Sequence, residues 1–219
     1  VFAYTPAMIV DCNTHIWQSP EQLGELDWGD VPRTPRPARP NTPRAAWRNF
    51  PAADPDHHMA QAEAVDKTIV LGFKSRYLKA EIPNWFVADY VNRFPQKLIG
   101  FAGVDPTEAG ALDELRAAHG DLHLRGLTIA PANQDFHPAD SRAMRIYAEA
   151  EALNMPILIH TGNHFTHQGK MEYARPCLFD EIARTFPNLR LILAQMAQPW
   201  IEECIALLGK HPCIFADVS

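Results

Sequence analysis

The run Asp11-Cys12-Asn13-Thr14-His15 closes the first apolar, strand-like stretch of this chain with side chains that can bind a metal or carry a proton. Alternate residues of a strand point the same way, so Asp11, Asn13 and His15 are expected to share one face. A second ending of the same kind is Ile157-Leu158-Ile159-His160-Thr161-Gly162. A catalytic zinc ion takes about three side-chain ligands and keeps an open position for water. The ion brings that water's pKa to about 7 and polarises a carbonyl. Asn is a feeble donor to zinc. His15 and His160 bring imidazoles, and Asn13 a carboxamide, to the ends of these strand-like runs. Two imidazoles alone would hold an ion loosely, and both histidines could equally be hydrogen-bonded residues at the rim of a site.

Other residues leave alternatives open. His164 and His167 follow His160 closely and could complete a relocated metal site, or they are exposed loop histidines. His57 and His58 open a helix, where adjacent residues point in different directions, so they read as a solvated pair. His119, His123, His137 and His211 are isolated and read as surface residues. Trp17, just past His15, could line a substrate pocket or fill the core. Arg175, near Glu172 and Tyr173, could bind a substrate carboxylate through its planar fork or form a surface ion pair.

These residues need a scaffold, and the chain spells one out. Seven short apolar runs (residues 7–12, 67–73, 98–104, 126–130, 156–160, 189–194 and 213–217) read as strands. They are continuously apolar rather than alternating, as in strands covered on both faces. Helix-like segments intervene at 83–94, 106–119, 140–154, 176–186 and 199–210, several opening on Pro, with Asp140 and Ser141 as candidate caps. Such alternation indicates a parallel α/β fold. Residues 31–43 are too rich in Pro to pair in a sheet or continue a helix, so residues 19–58 read as a loop insertion: a lid, a subunit-contact arm or a passive excursion.

The motifs now carry a resemblance. Ile9-Val10-Asp11-Cys12-Asn13-Thr14-His15-Ile16-Trp17 resembles the opening of the amidohydrolase-related family, which includes carboxymuconate-semialdehyde and hydroxybenzoate-type decarboxylases. That family has Asp-x-His-x-His here, both histidines binding a divalent metal, so Asn13 stands in the place of the first. Ile99 to Pro106 is similar to the third strand and turn, and Leu124 to Pro131 to the fourth, where many members have Lys at the Thr128 position. Pro156 to Gly162 is similar to the fifth, keeping the ligand histidine as His160. Leu191 to Trp200 resembles the sixth, with Gln195 in the place of a histidine that is the acid/base group or a further ligand; Gln cannot titrate, so Gln195 cannot serve as a general base. The family's last ligand, an Asp after the eighth strand, has no counterpart before Ser219.

The resemblance implies a (β/α)8 TIM-type barrel, here without its eighth strand–helix unit, with a mouth at the carboxyl ends of the strands. Residues 8–219 are read as a single domain and residues 1–7 as an extension, Met8 being a candidate start. The implied cofactor is a divalent metal, zinc by type, which the resemblance assigns to His15 and His160 with Asn13 a weak third, the substitutions raising the prospect that it is lost. The implied activity is hydrolysis or decarboxylation of a small carbonyl or carboxylate compound. The alternative is a catalytically impaired relative acting as a binding or structural subunit. With seven parallel strands, the first and last would carry unpaired edges, which implies a homo-oligomer or a paralogous partner.

Composition excludes other classes. Of 219 residues, 20 are Lys or Arg and 26 Asp or Glu, a net charge of −6, which disfavours nucleic acid and anionic membranes. No apolar run approaches the roughly 20 residues that span a bilayer. Four cysteines without a CxxC spacing, and no signal-peptide pattern, suggest a reduced cytoplasmic protein.

Overall fold

A computed structural model describes residues 8–24, 53–162, 166 and 168–219. The Pro/Arg-rich stretch 31–43, Trp28, Trp47, His164 and His167 lie outside the described residues. In chain order the elements are β1 (Val10–His15), α1 (Pro55–Ala62), β2 (Lys67–Leu71), β3 (Phe73–Ser75), β4 (Ala80–Ile82), α2 (Asn84–Arg93), β5 (Leu98–Gly103) and α3 (Ala111–Gly120). There follow β6 (Gly126–Ile129), α4 (Pro131–Gln134), α5 (Ser141–Ala152), β7 (Ile157–Ile159), α6 (Asp180–Thr185), β8 (Leu191–Leu193), α7 (Ile201–Lys210) and β9 (Ile214–Ala216).

Seven strands form one parallel sheet in the order β1-β2-β5-β6-β7-β8-β9, the seven anticipated from the apolar runs. The sheet curls as a barrel does. Its concave side holds a compact cluster of Ile69, Leu71, Phe101, Leu158 and Ala194, joined by Cys12, Ile99 and Ile192. Its convex side carries the larger core shared with the helices, including Val70, Leu127, Ile129, Ile157 and Ile159. Burial on both faces explains why these strands are apolar throughout. Helix starts follow local chemistry. The Asp54 carboxylate accepts from the Asp56 and His57 amides at 3.1 and 3.0 Å ahead of Pro55, and Asp140 accepts from the Arg142 amide at 2.8 Å.

Four expectations need correction. The apolar run 67–73 is two strands: β2 ends at Leu71, and β3 leaves the sheet to form an antiparallel hairpin with β4. The departure needs glycine, because a Cβ on Gly103 would press into the Phe73 backbone at 2.6 Å. The 176–186 segment is a 3-10 turn (Pro176–Phe179) followed by the shorter α6. Strict alternation along β1 also fails. Its register to β2 slips between Asp11 and Thr14, placing Cys12 against the interior cluster and turning Thr14 outward to α1. Finally, His58 and His211 are buried rather than on the surface, each 8% exposed.

Candidate functional site at the barrel mouth

His15 ends β1 and His160 follows β7, so both imidazoles arrive at the carboxyl ends of strands from separated parts of the sheet. They meet there. The rings stack with centroids 5.4 Å apart and planes 23° from parallel, and Phe73 packs its ring edgewise to His160 at 6.5 Å. Both histidines are half-buried, between the core and the opening. An imidazole bound through one nitrogen at about 2.1 Å keeps its centroid about 3 Å from zinc, so two ligands of one ion sit about 5–6 Å apart. The spacing matches that of two such ligands, but a ligand ring holds the ion in its own plane, and two stacked, nearly parallel rings do not aim their nitrogens at one point.

The rest of the donor set is poorer. The Asn13 side chain donates to Ser219 Oγ at 3.3 Å. Gln195 is a neutral carboxamide, and its backbone N–H donates to the Asp217 carboxylate at 3.0 Å. Among the described residues, no group of three or more His, Cys, Asp or Glu side chains is arranged to hold a metal ion. Two imidazoles with carboxamides are a weak set for zinc, and the described residues do not fit a tightly held ion.

Behind Gln195 lies an unusual backbone. Gln195, Met196 and Ala197 all have positive φ (56°, 49° and 52°), a left-handed turn made wholly of residues with side chains. Each such residue costs roughly 1–2 kcal/mol. Asp217 holds the turn from β9: its carboxylate takes the Gln195 amide, and its carbonyl takes the Met196 amide at 2.8 Å. Ser219 donates to the same carboxylate oxygen through its amide at 3.0 Å and its hydroxyl at 2.7 Å. Asp217 is 8% exposed, and its other oxygen is buried without a hydrogen-bond partner among the described residues. Asp217 was missed as a site residue because it reads simply as the last residue of an apolar run. The signal was present: like Asp11, it is a carboxylate at the carboxyl end of a barrel strand.

The other sequence candidates are placed as follows. Trp17 is half-buried against the main core, its amide bonded to the Ala53 carbonyl at 3.1 Å. Arg175 precedes the 3-10 turn that leads into α6 and pairs with Glu203 at the start of α7. Thr128 lies in β6, 1% exposed, with a hydroxyl that lacks a partner among the described residues. His211 bonds Asp180 at 2.6 Å, away from the His15–His160 pair. His58 packs behind β1: its ring nitrogens lie 2.9 Å from Tyr90 Oη and 2.8 Å from Thr14 Oγ1. Burial lowers its pKa, against the smaller opposing effect of the Asp11 charge.

Comparisons with known proteins fit this architecture. A family model described as amidohydrolase matches residues 10–219. No curated protein sequence is a significant match. Among solved structures, the chain resembles an uncharacterised TIM-barrel protein from Bordetella bronchiseptica, with a TM-score of 0.62 at 22% identity over 75% of this chain. It resembles a 5-carboxyvanillate decarboxylase from Novosphingobium aromaticivorans, holding manganese and 3-methoxy-4-hydroxy-5-nitrobenzoic acid, with a TM-score of 0.66 at 15% identity over 94% of this chain. A 2,6-dihydroxybenzoate decarboxylase from Rhizobium follows, with a TM-score of 0.56 at 18% identity over 88% of this chain. The chain spans 58%, 69% and 67% of these three proteins respectively. At such identities the likeness establishes the fold, a TIM-type barrel represented here by seven strands.

Proposed function

The chain belongs to the amidohydrolase family, and from that footing we propose that it is an enzyme hydrolysing or decarboxylating a small carboxylate or carbonyl compound at the barrel mouth. The observation that carries this reading is the His15–His160 pair, two imidazoles brought together at 5.4 Å from the ends of β1 and β7. Residues placed so are candidates for proton transfer, and a cationic imidazole would also attract a carboxylate. The neutral carboxamides of Asn13 and Gln195 add hydrogen-bonding groups without charge. Two of the similar structures are decarboxylases of hydroxylated aromatic acids, so substrates of that class are the first to try.

In this family a divalent ion, zinc in our expectation, would polarise the carbonyl. The donor set described above suits such an ion poorly, so the work assigned to this chain's residues is what the two imidazoles and two carboxamides do by themselves. A ligand supplied by His164 or His167 would change that balance, and elemental analysis tests it.

A second reading has its own support. Asn13 and Gln195 together remove imidazoles from two family positions, which fits an impaired relative serving as a binding or structural subunit. One experiment separates the two: the metal content of the purified protein, measured alongside turnover of 2,6-dihydroxybenzoate and 5-carboxyvanillate with and without added zinc or manganese. Turnover that His15→Ala or His160→Ala abolishes supports the enzyme. A folded, metal-free protein that is inert under every condition supports the subunit.

A further inference from the structure

The left-handed turn after β8 holds in place a side chain that makes no hydrogen bond among the described residues. Gln195 lies across Gly162, two residues beyond His160: a Cβ on that glycine would collide with Gln195 Oε1 and lie 2.6 Å from the Gln195 Cβ. Every hydrogen bond of Gln195 among the described residues runs through its backbone, and the carboxamide makes none. Three consecutive left-handed residues persist only where their surroundings over-determine them, and such strain gathers where a side chain must be held in one place. The over-determining contacts are those of Asp217, through one carboxylate oxygen and its carbonyl. The same oxygen takes Ser219, whose hydroxyl receives the Asn13 carboxamide, so one chain of bonds joins both carboxamide-bearing positions of the mouth.

We propose that Gln195 is the specificity-determining residue of a carboxylate subsite beside His160, and that Asp217 positions it. This rests on the reading of the mouth as a site for small carboxylates and adds which group reads the carboxylate. The carboxamide N–H donates to a carboxylate oxygen, a hydrogen bond strengthened by the acceptor's charge. The carboxamide is neutral at every working pH, so the subsite does not depend on the protonation of Gln195. The strained turn fixes where the donor stands before the ligand arrives, which reduces the ordering cost of binding. Gly162 leaves the space in which the side chain lies.

The test is equilibrium binding of benzoate and of uncharged benzamide to the whole chain, followed calorimetrically, for the parent and four variants. The parent is expected to prefer benzoate. Gln195→Ala should weaken benzoate about tenfold and benzamide little. Gln195→Glu should reverse the preference, because a carboxylate repels benzoate and accepts from the benzamide N–H₂. Asp217→Ala should weaken benzoate as Gln195→Ala does, whereas Asp217→Asn, which keeps an oxygen to accept the Gln195 amide, should retain most of the affinity. That rescue is what a merely structural role would not produce. Benzoate affinity within twofold of the parent in both Gln195 variants overturns the subsite, as does a parent that binds neither probe or does not distinguish them. If Asp217→Ala does not fold, the Gln195 pair still decides. Binding with this pattern but without turnover of any substrate retires the enzymatic reading and leaves the subsite standing.

Discussion

His58 and Thr14 meet at 2.8 Å behind β1, one residue before His15. Thr14 Oγ1 donates its proton to the Ile69 carbonyl at 2.8 Å, so it must accept from His58 Nε2–H, and in the neutral ring the other nitrogen accepts from the Tyr90 hydroxyl. Burial lowers the His58 pKa and so favours the neutral imidazole, whose ring fixes the end of β1 from outside while His15 faces the mouth.

Removing that ring should be costly. His58→Ala leaves the Tyr90 hydroxyl unpaired and opens a cavity, and a loss of about 2–4 kcal/mol is expected in urea unfolding. The pH dependence has a definite sign. The folded pKa lies below the unfolded value of 6.5, so the unfolded chain takes up the proton first as pH falls. The His58 contribution is fully present above about pH 6.5 and is lost as pH falls from there toward the folded pKa. His58→Gln should flatten that part of the stability–pH curve. An unchanged slope would show that the titrating group lies elsewhere.

Restoring imidazoles at the altered mouth positions should restore metal binding. Asn13→His combined with Gln195→His is expected to raise zinc affinity at least about tenfold, or 1.4 kcal/mol, by calorimetry. Affinity equal to the parent's would locate the obstacle elsewhere, at Thr128 or among the carboxylate donors.

The left-handed turn predicts an inverted glycine scan. Ala150, within α5, and Ala197, within the turn, are both fully buried. In the helix, Ala150→Gly gives up a buried methyl and helix propensity, about 2 kcal/mol together. In the turn, Ala197→Gly loses a similar methyl but relieves roughly 1–2 kcal/mol of left-handed strain, so its net effect should lie within about 1 kcal/mol of zero. Chemical denaturation of the two variants compares them directly; equal losses would mean that the turn is not strained as described.

The 219-residue chain should associate in solution. Met8 and Ile9 just before β1 and Val10 at its start are 64%, 58% and 39% exposed, and Phe215 in β9 and Val218 beyond it are 49% and 86% exposed. β1 and β9 are the two ends of the sheet order. Apolar side chains along open strand edges favour pairing with another chain. Light scattering at micromolar concentration is expected to show a mass above that of one chain, and Ile9→Lys should reduce it. A monodisperse monomer would count against this assembly.

The barrel was legible because strands buried on both faces must be apolar throughout, and that property survives in single runs such as Leu98 to Gly103. The hairpin was not, since Phe73 continues the apolar run of β2 and only Gly72 hints at the departure. The histidines at strand ends were legible for the same reason as the strands themselves. His58 was misread because a neighbouring histidine suggested a solvated pair, although its spacing of four from Ala62, also buried, would have placed it on the inward stripe of α1. Asp217 and the left-handed turn were out of reach of local patterns. Nothing in Gln195-Met196-Ala197 advertises positive φ, and the turn exists because a carboxylate 22 positions later captures its first amide.

The bond from Asn13 to Ser219 joins residues 206 positions apart, and the Gln195 turn is held from β9. A contact at such separation forms only after the intervening chain has been gathered in, so its closure entropy is met late in folding. On a ribosome, every strand from β1 to β8 could be in place while the mouth still lacked its shape. Partial chains ending before residue 214 would therefore carry both histidines and yet hold no formed turn, which makes competence of the mouth a report on the arrival of β9.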